Sequence, residues 1–242
     1  MMGNRDRFIT ALIISLSFCL FLFLIHLYFD LITADKYFWC VYPREISHWH
    51  GMFTSHFIHG SWEHLLSNLS PLAVTLFMIF FFYRSIAWAV FVLIWFSTGF
   101  SVFMFARDNA HMGASGLVYG LIAFLFFSGF FRRNVKAIAL MVIIVILYGG
   151  YTAGFLPVDE QVSWESHLLG AFSGLWTAFV FREFREFDEE APYRRQVVDE
   201  STREYYFPRD LFENTIDQRK REAEEALRNS YPFPDPDVID IA

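Results

Sequence analysis

Six nearly unbroken apolar runs punctuate the chain, at 8–28, 65–83, 85–106, 115–131, 135–151 and 166–181. A hydrocarbon core of about 30 Å takes roughly 20 residues of helix, or somewhat fewer where the membrane thins. Each run therefore predicts a membrane-spanning helix. The first run has the place of a signal peptide, but no small-residue cleavage site follows it convincingly, so a retained helix is expected. Between the first two runs lies a long loop, 29–64. After residue 182 the apolar pattern stops.

Composition supports lipid as the solvent. The 242 residues are 55% hydrophobic and 20% aromatic, with 31 Phe, more than a soluble domain of this length can hide from water. The two cysteines, Cys19 and Cys40, suggest neither a disulfide framework nor a cysteine metal site. The net charge of −7 is uneven: residues 183–242 hold 17 acidic and 9 basic side chains, so an almost neutral membrane body precedes an acidic tail. No basic stripe points to nucleic acid. Arg5, Arg7, Arg84, Arg132, Arg133, Lys136 and Arg182 fall on one side of the predicted spans, and Lys36, Arg44 and Arg107 on the other. The positive-inside rule then puts both termini in the cytoplasm. The expected division is 1–182, a membrane domain, and 183–242, a cytoplasmic tail that is partly helical (around 211–228) or disordered. The prolines near 232–236 preclude a helix there.

Polar residues are expensive in hydrocarbon, and three clusters of them stand at span entrances. In the first, His59-Gly60-Ser61-Trp62-Glu63-His64, then Ser67-Asn68, the four-residue spacing puts His64 and Asn68 on one helix face. In the second, His111-Met112-Gly113-Ala114-Ser115-Gly116, small residues allow a tight turn and Ser115 opens a helix, where free N–H groups favour negative charge; Tyr119 lies one turn down. In the third, Ser166-His167 heads a face continued by Gly170, Ala171 and Gly174. The small-residue stripes of the fourth and sixth spans predict close backbone packing that brings His167 to Ser115, the juxtaposition that general-base activation of a nucleophile needs. Each cluster alone also fits a plainer role, as an interfacial cap or a packing stripe.

Together, His64-x-x-x-Asn68, the Gly113-Ala114-Ser115-Gly116 box and His167-x-x-Gly170-x-x-x-Gly174, in this order across six spans, closely resemble the rhomboid family of intramembrane serine proteases. The resemblance implies an all-α membrane protein, a six-transmembrane-helix rhomboid-like bundle with a cytoplasmic C-terminal tail. It implies Ser115 as nucleophile and His167 as its base. His64, Asn68 and the Ser115 N–H would form the oxyanion hole, Tyr119 would pack beneath the imidazole, and His59 would order the first outer loop. Gly113, Gly116, Gly170 and Gly174 would support the site. No cofactor or metal is implied. The expected partners are the bilayer and transmembrane, often single-pass, protein substrates, and the expected location is a bacterial inner membrane. Two departures stand out: Ser47-His48-Trp49-His50-Gly51 replaces a Trp-Arg pair common among relatives, and Ser166 replaces a common Gly, small enough that no loss is expected although its hydroxyl could compete for His167.

Other readings remain at this point. A proteolytically inactive relative that binds membrane clients would share the fold. A transporter suits intramembrane His and Asn but leaves the Ser–His grouping unexplained. Five of the eight histidines lie between His48 and His64, yet H-E-x-x-H is absent and His56-x-x-His59 lacks an identifiable third ligand. His26, alone in the first span, is expected to pack or snorkel near its end.

Overall fold

A computed structural model describes residues 3–33, 35–156, 163–186 and 215–230. The chain divides into a unit of residues 1–192 and a second of residues 193–242. Among the described residues of the first unit the helices are α1 (Asn4–Leu31), α2 (Gly51–Thr54), α3 (Trp62–Phe82), α4 (Ala87–Phe105), α5 (Ser115–Arg132), α6 (Val135–Tyr148) and α7 (Trp164–Val180). The second unit contributes α8 (Ile216–Ser230). No strand occurs among the described residues, only an isolated bridge between Val41 and His111.

Local chemistry sets these ends. The Ser61 hydroxyl caps α3 at the His64 N–H, Asn134 caps α6 at Ala137, and Ser163 caps α7 at Ser166, each satisfying an orphan donor. Arg133 closes α5 in the left-handed conformation, φ 53°. The expected fourth run differs least from its helix, α5, while the fifth changes form. Its α-helix stops at Tyr148 and continues as a 3₁₀ segment, Gly149–Phe155, longer than such segments usually are.

The bundle is apolar outside as well as inside. Leu65, Leu72, Leu76, Ile79, Ile94, Leu117, Leu121 and Phe124 are fully buried between helices, while Ile13, Leu20, Ile146 and Phe172 project outward, more than half exposed. Such a surface suits lipid. Among the described residues, five stretches are long and apolar enough to cross a membrane: Asn4–Leu31, Trp62–Phe82, Ala87–Phe105, Ser115–Arg132 and Val135–Phe155. The sixth expected span, α7, has 17 residues, about 25 Å at 1.5 Å per residue.

Helices α5 and α7 make the closest pairing, and its cause is glycine. A Cβ on Gly170 would lie 2.0 Å from the Gly116 carbonyl oxygen, and one on Gly174 would lie 2.0 Å from that of Gly120. Backbone therefore rests directly on backbone over two turns, as the paired stripes predict. Around this pair, α1 packs mainly on α3, α6 on α5, and α4 on α7.

At the opposite end from Ser115, buried Arg132 donates to the Phe181 carbonyl (3.1 Å) and its guanidinium lies 4.8 Å from the Tyr83 ring centre. Glu186 returns to accept from the Ser85 N–H (3.0 Å) and hydroxyl (2.7 Å), just before α4. The helical stretch expected in the tail appears as α8, which carries Asp217, Arg219, Lys220, Arg221, Glu222, Glu224, Glu225 and Arg228. Residues 211–214 of that expectation lie outside the described residues.

Candidate active site

The N-terminal ends of α3, α5 and α7 meet at one end of the bundle. Ser115 is the first residue of α5 and is half-buried. The Val118 N–H is the first to bond back within the helix, to Ala114, so the N–H groups of the opening turn point free, as they do at any helix start. Gly113 makes the turn possible with φ 114°, a conformation that L side chains avoid. Its N–H donates to the Ser55 carbonyl (2.9 Å), and the His64 ring rests against its Cα: a Cβ there would lie 2.6 Å from His64 Nε2.

His167 arrives from α7. The Ser166 carbonyl oxygen would be 3.0 Å from a Cβ on Gly116, which sets the start of α7 level with the start of α5. The His167 ring is buried and stacks on Tyr119 with centroids 4.2 Å apart and planes 11° from parallel. Its Nδ1 lies 2.9 Å from the Gly154 carbonyl oxygen. A carbonyl only accepts, so Nδ1 carries the proton and Nε2 of the neutral ring keeps its lone pair, the form a general base requires. The Tyr119 hydroxyl donates to the Tyr151 carbonyl (2.8 Å). The 3₁₀ segment thus touches both members of the stack.

The remaining predicted residues fall around this centre. Asn68 is buried, and one N–H of its amide donates to the His64 carbonyl (2.8 Å), which leaves its second N–H for another acceptor. His59 reaches the turn that carries Ser115. Its Nε2 accepts from the Ala114 N–H (3.2 Å), one residue before the serine, while Lys36 Nζ donates to the His59 and Gly60 carbonyls (3.3 and 2.6 Å). Burial, then the neighbouring His64 and His26 rings, push the His59 imidazole down to about 3, which keeps it an acceptor. His26 packs edge-on against Trp62, 4.5 Å between ring centres.

The other loop histidines have separate occupations. His50 bonds the Phe38 carbonyl (2.7 Å), His48 lies 3.2 Å from Glu45, and His56 bonds the Trp95 carbonyl (3.1 Å). Among the described residues no group of three or more His, Cys, Asp or Glu side chains is placed to hold a metal ion.

Both departures make contacts of their own. A Cβ on Gly51 would lie 2.2 Å from the Cys40 carbonyl oxygen. The 38–41 backbone crosses where a longer side chain would go, held there by His50 on Phe38 and Thr54 on Trp39 (2.8 Å). The Ser166 hydroxyl turns to Ser163 Oγ (2.6 Å), away from competition for His167.

Residues 46–184 match the model of the rhomboid domain. The chain belongs to the rhomboid family. Its similarity extends to an uncharacterized protein of Mycobacterium tuberculosis strain H37Rv, 30% identical over 187 residues, covering 73% of this chain and 78% of that protein. A Mycobacterium bovis protein matches to the same extent. An uncharacterized protein of Mycobacterium leprae is 35% identical over 133 residues, 51% of this chain and 52% of its own length. With its apolar helices, this rhomboid-family chain is a multi-pass membrane protein, and members of the family are generally intramembrane serine proteases.

Three contributors escaped the sequence reading. Gly154 acts through a backbone carbonyl, which no side-chain pattern announces. Ser163 caps α7, and the Ser-x-x-Ser spacing before His167 was a legible N-cap signal. His111 lay in the serine box without a role.

Proposed function

We propose that this protein is an intramembrane serine endopeptidase that cuts transmembrane segments of other membrane proteins through a Ser115–His167 dyad. The observation that carries the reading is the His167 ring, stacked on Tyr119 one turn below Ser115, with Nδ1–H held by Gly154 so that Nε2 is free to take a proton. Ser115 Oγ attacks the scissile carbonyl carbon as its proton passes to His167 Nε2. The carbonyl electron pair moves onto oxygen, where the Ser115 N–H, His64 and the spare N–H of Asn68 are available donors. Loss of one such donor typically costs about 3 kcal/mol of transition-state stabilisation. The tetrahedral centre collapses as His167 returns the proton to the leaving amine, and water then releases the acyl group by the same steps.

In this reading α7 counts as the sixth span, both termini are cytoplasmic, and the site opens toward the outer face of a bacterial inner membrane. Substrates are single-pass proteins whose helix is weakened near the cut by Gly, Pro or polar residues, because a scissile bond in intact helix is protected. The test uses purified protein in detergent with a fluorescent serine-reactive probe and a helix-destabilised model substrate. Labelling at Ser115 and cleavage in wild type, both lost in Ser115→Ala and His167→Ala, is the expected result. A folded wild type that neither labels nor cleaves would instead favour a client-binding protein with a silent site.

A further inference from the structure

A second histidine–serine pair lies beside the first. His111 stands four residues before Ser115, and Ser163 four residues before His167. The His111 ring is buried, 3% exposed, with Nε2 2.9 Å from the Arg107 carbonyl oxygen and Nδ1 2.6 Å from Ser163 Oγ. The directions of these bonds follow from the acceptors. Because the carbonyl cannot donate, Nε2 carries the ring proton, Nδ1 offers a lone pair, and the Ser163 hydroxyl must donate to it. With its proton committed, Ser163 Oγ can only accept, and it does so from the Ser166 hydroxyl (2.6 Å) and the Ser166 N–H (3.3 Å). One continuous chain of donors therefore runs from the first turn of α7 to the loop before α5.

Both ends of that chain are anchored. The His111 backbone is bonded to Val41 in both directions (2.9 and 3.0 Å), and the Cys40–Val41 backbone lies against Gly51. Alongside, Arg107 Nε pairs with buried Glu165 at 3.1 Å, a second link between the same loop and the same helix.

We propose that His111 and Ser163 are positioning residues that latch the turn carrying Ser115 to the first turn of the helix carrying His167, and so set the register of the dyad. The proposal rests on the serine-protease reading of Ser115 and His167. Neither latch residue needs to touch substrate.

The latch has a built-in sensitivity to acid. A proton added at Nδ1 turns the ring's acceptor into a donor facing a hydroxyl that already donates to it, so the chain must reverse or break. Burial opposes that proton most; the Arg107 carbonyl and the Glu165 carboxylate favour it, and the Arg107 and Arg44 guanidinium groups oppose it. The latch is therefore closed at neutral pH and opens on acidification.

The test follows kcat and KM between about pH 5 and 8 for wild type, Ser163→Ala, His111→Leu and His111→Asn. A buried hydrogen bond of this kind corresponds to about a tenfold change in rate. Ser163→Ala and His111→Leu are expected to lower kcat by that factor with KM unchanged. His111→Asn, able to accept from Ser163 and donate to the Arg107 carbonyl without titrating, should recover most of that loss. It should also soften the acid limb from a two-proton to a one-proton slope. Wild-type kcat in Ser163→Ala, or an acid limb untouched in His111→Asn, overturns the latch. Imidazole ¹⁵N spectra supply a readout independent of cleavage. The Nε2–H tautomer is expected for His111 in wild type, and the Nδ1–H tautomer would sink the proposal even in a protein that cleaves nothing. Failure of wild type to cleave, with the Nε2–H tautomer present, removes the protease reading and keeps the latch as a helix-registering contact.

Discussion

Gly170→Ala is the most discriminating single change in the bundle. The new Cβ would sit 2.0 Å from the Gly116 carbonyl oxygen, 2.8 Å from its carbon and 3.0 Å from the Gly116 Cα. All three are backbone atoms, so no rotamer change relieves the contact. Ordinary contacts begin near 3.4 Å, and α5 and α7 must separate by about 1.4 Å to restore one. Overpacking of this kind destabilises by about 1–3 kcal/mol. If Ser115 and His167 act as proposed, the larger effect falls on cleavage, because Gly170 lies less than one turn from His167 and a misplacement of about 1 Å can cost on the order of 100-fold in rate. Thermal unfolding in detergent measures the first term and cleavage of a model substrate by the folded fraction measures the second. Gly174→Ala makes an equal clash, 2.0 Å from the Gly120 carbonyl oxygen, one turn farther from His167. It should lose comparable stability and less activity. If Gly170→Ala melts and cleaves like wild type, the backbone contact between α5 and α7 is wrong, and with it the argument that brings His167 to Ser115.

Other changes separate the parts of the site. Tyr119→Phe keeps the stack but removes the hydroxyl held by Tyr151, and should lower kcat by about threefold to tenfold; Tyr119→Leu, which removes the stack itself, should be worse, and the reverse order in a cleavage assay would refute the stacking role. His59→Leu strands the Ala114 N–H and should destabilise by about 1–3 kcal/mol, read from chemical or thermal unfolding; an unchanged midpoint would mean that the 3.2 Å bond contributes nothing. Burial lowers His56 to about 4, and burial with the His64 and His26 rings lowers His59 to about 3. The unfolded chain then binds protons that the folded one refuses, so stability is full above about pH 6.5 and falls toward pH 3–4. A melting temperature flat across that window would contradict the burial of both rings. Glu186→Ala removes the acceptor for the Ser85 N–H and hydroxyl and should cost about 1 kcal/mol of stability with cleavage unchanged.

Much of this site was legible in the sequence because its chemistry is local or periodic. His64 and Asn68 are one turn apart, Ser115 follows a glycine turn, and the Gly116/Gly120 and Gly170/Gly174 stripes face each other at helical spacing. Residues with four-residue periods on lipid-bounded helices have few alternative arrangements. What was not legible depends on backbone atoms or on contacts far apart in sequence. The Gly154 carbonyl, the Ala114 N–H held by His59, and the Cys40 carbonyl lying where a Gly51 side chain would go leave no mark in a pattern of side chains. The end of α6 was missed for a related reason: its apolar run continues past Tyr148, and nothing in hydropathy separates an α-helix from a 3₁₀ segment.

That 3₁₀ segment gives His167 an uncharged partner where soluble serine hydrolases place a carboxylate. A carboxylate there would hold the same tautomer and also attract the imidazolium formed during attack. Set at the edge of hydrocarbon, it would carry a large desolvation penalty of its own. The peptide carbonyl of Gly154 fixes the ring without bringing a charge into lipid, and gives up the electrostatic assistance. A Ser115–His167 enzyme built this way is expected to be slow per encounter, with selectivity set by how readily a client helix unwinds rather than by how fast the serine attacks. The third partner of the proposed dyad is a main-chain oxygen, yet its residue would show in an alanine scan, since a Cβ on Gly154 would lie 2.0 Å from the Tyr119 hydroxyl and 3.1 Å from His167 Nδ1.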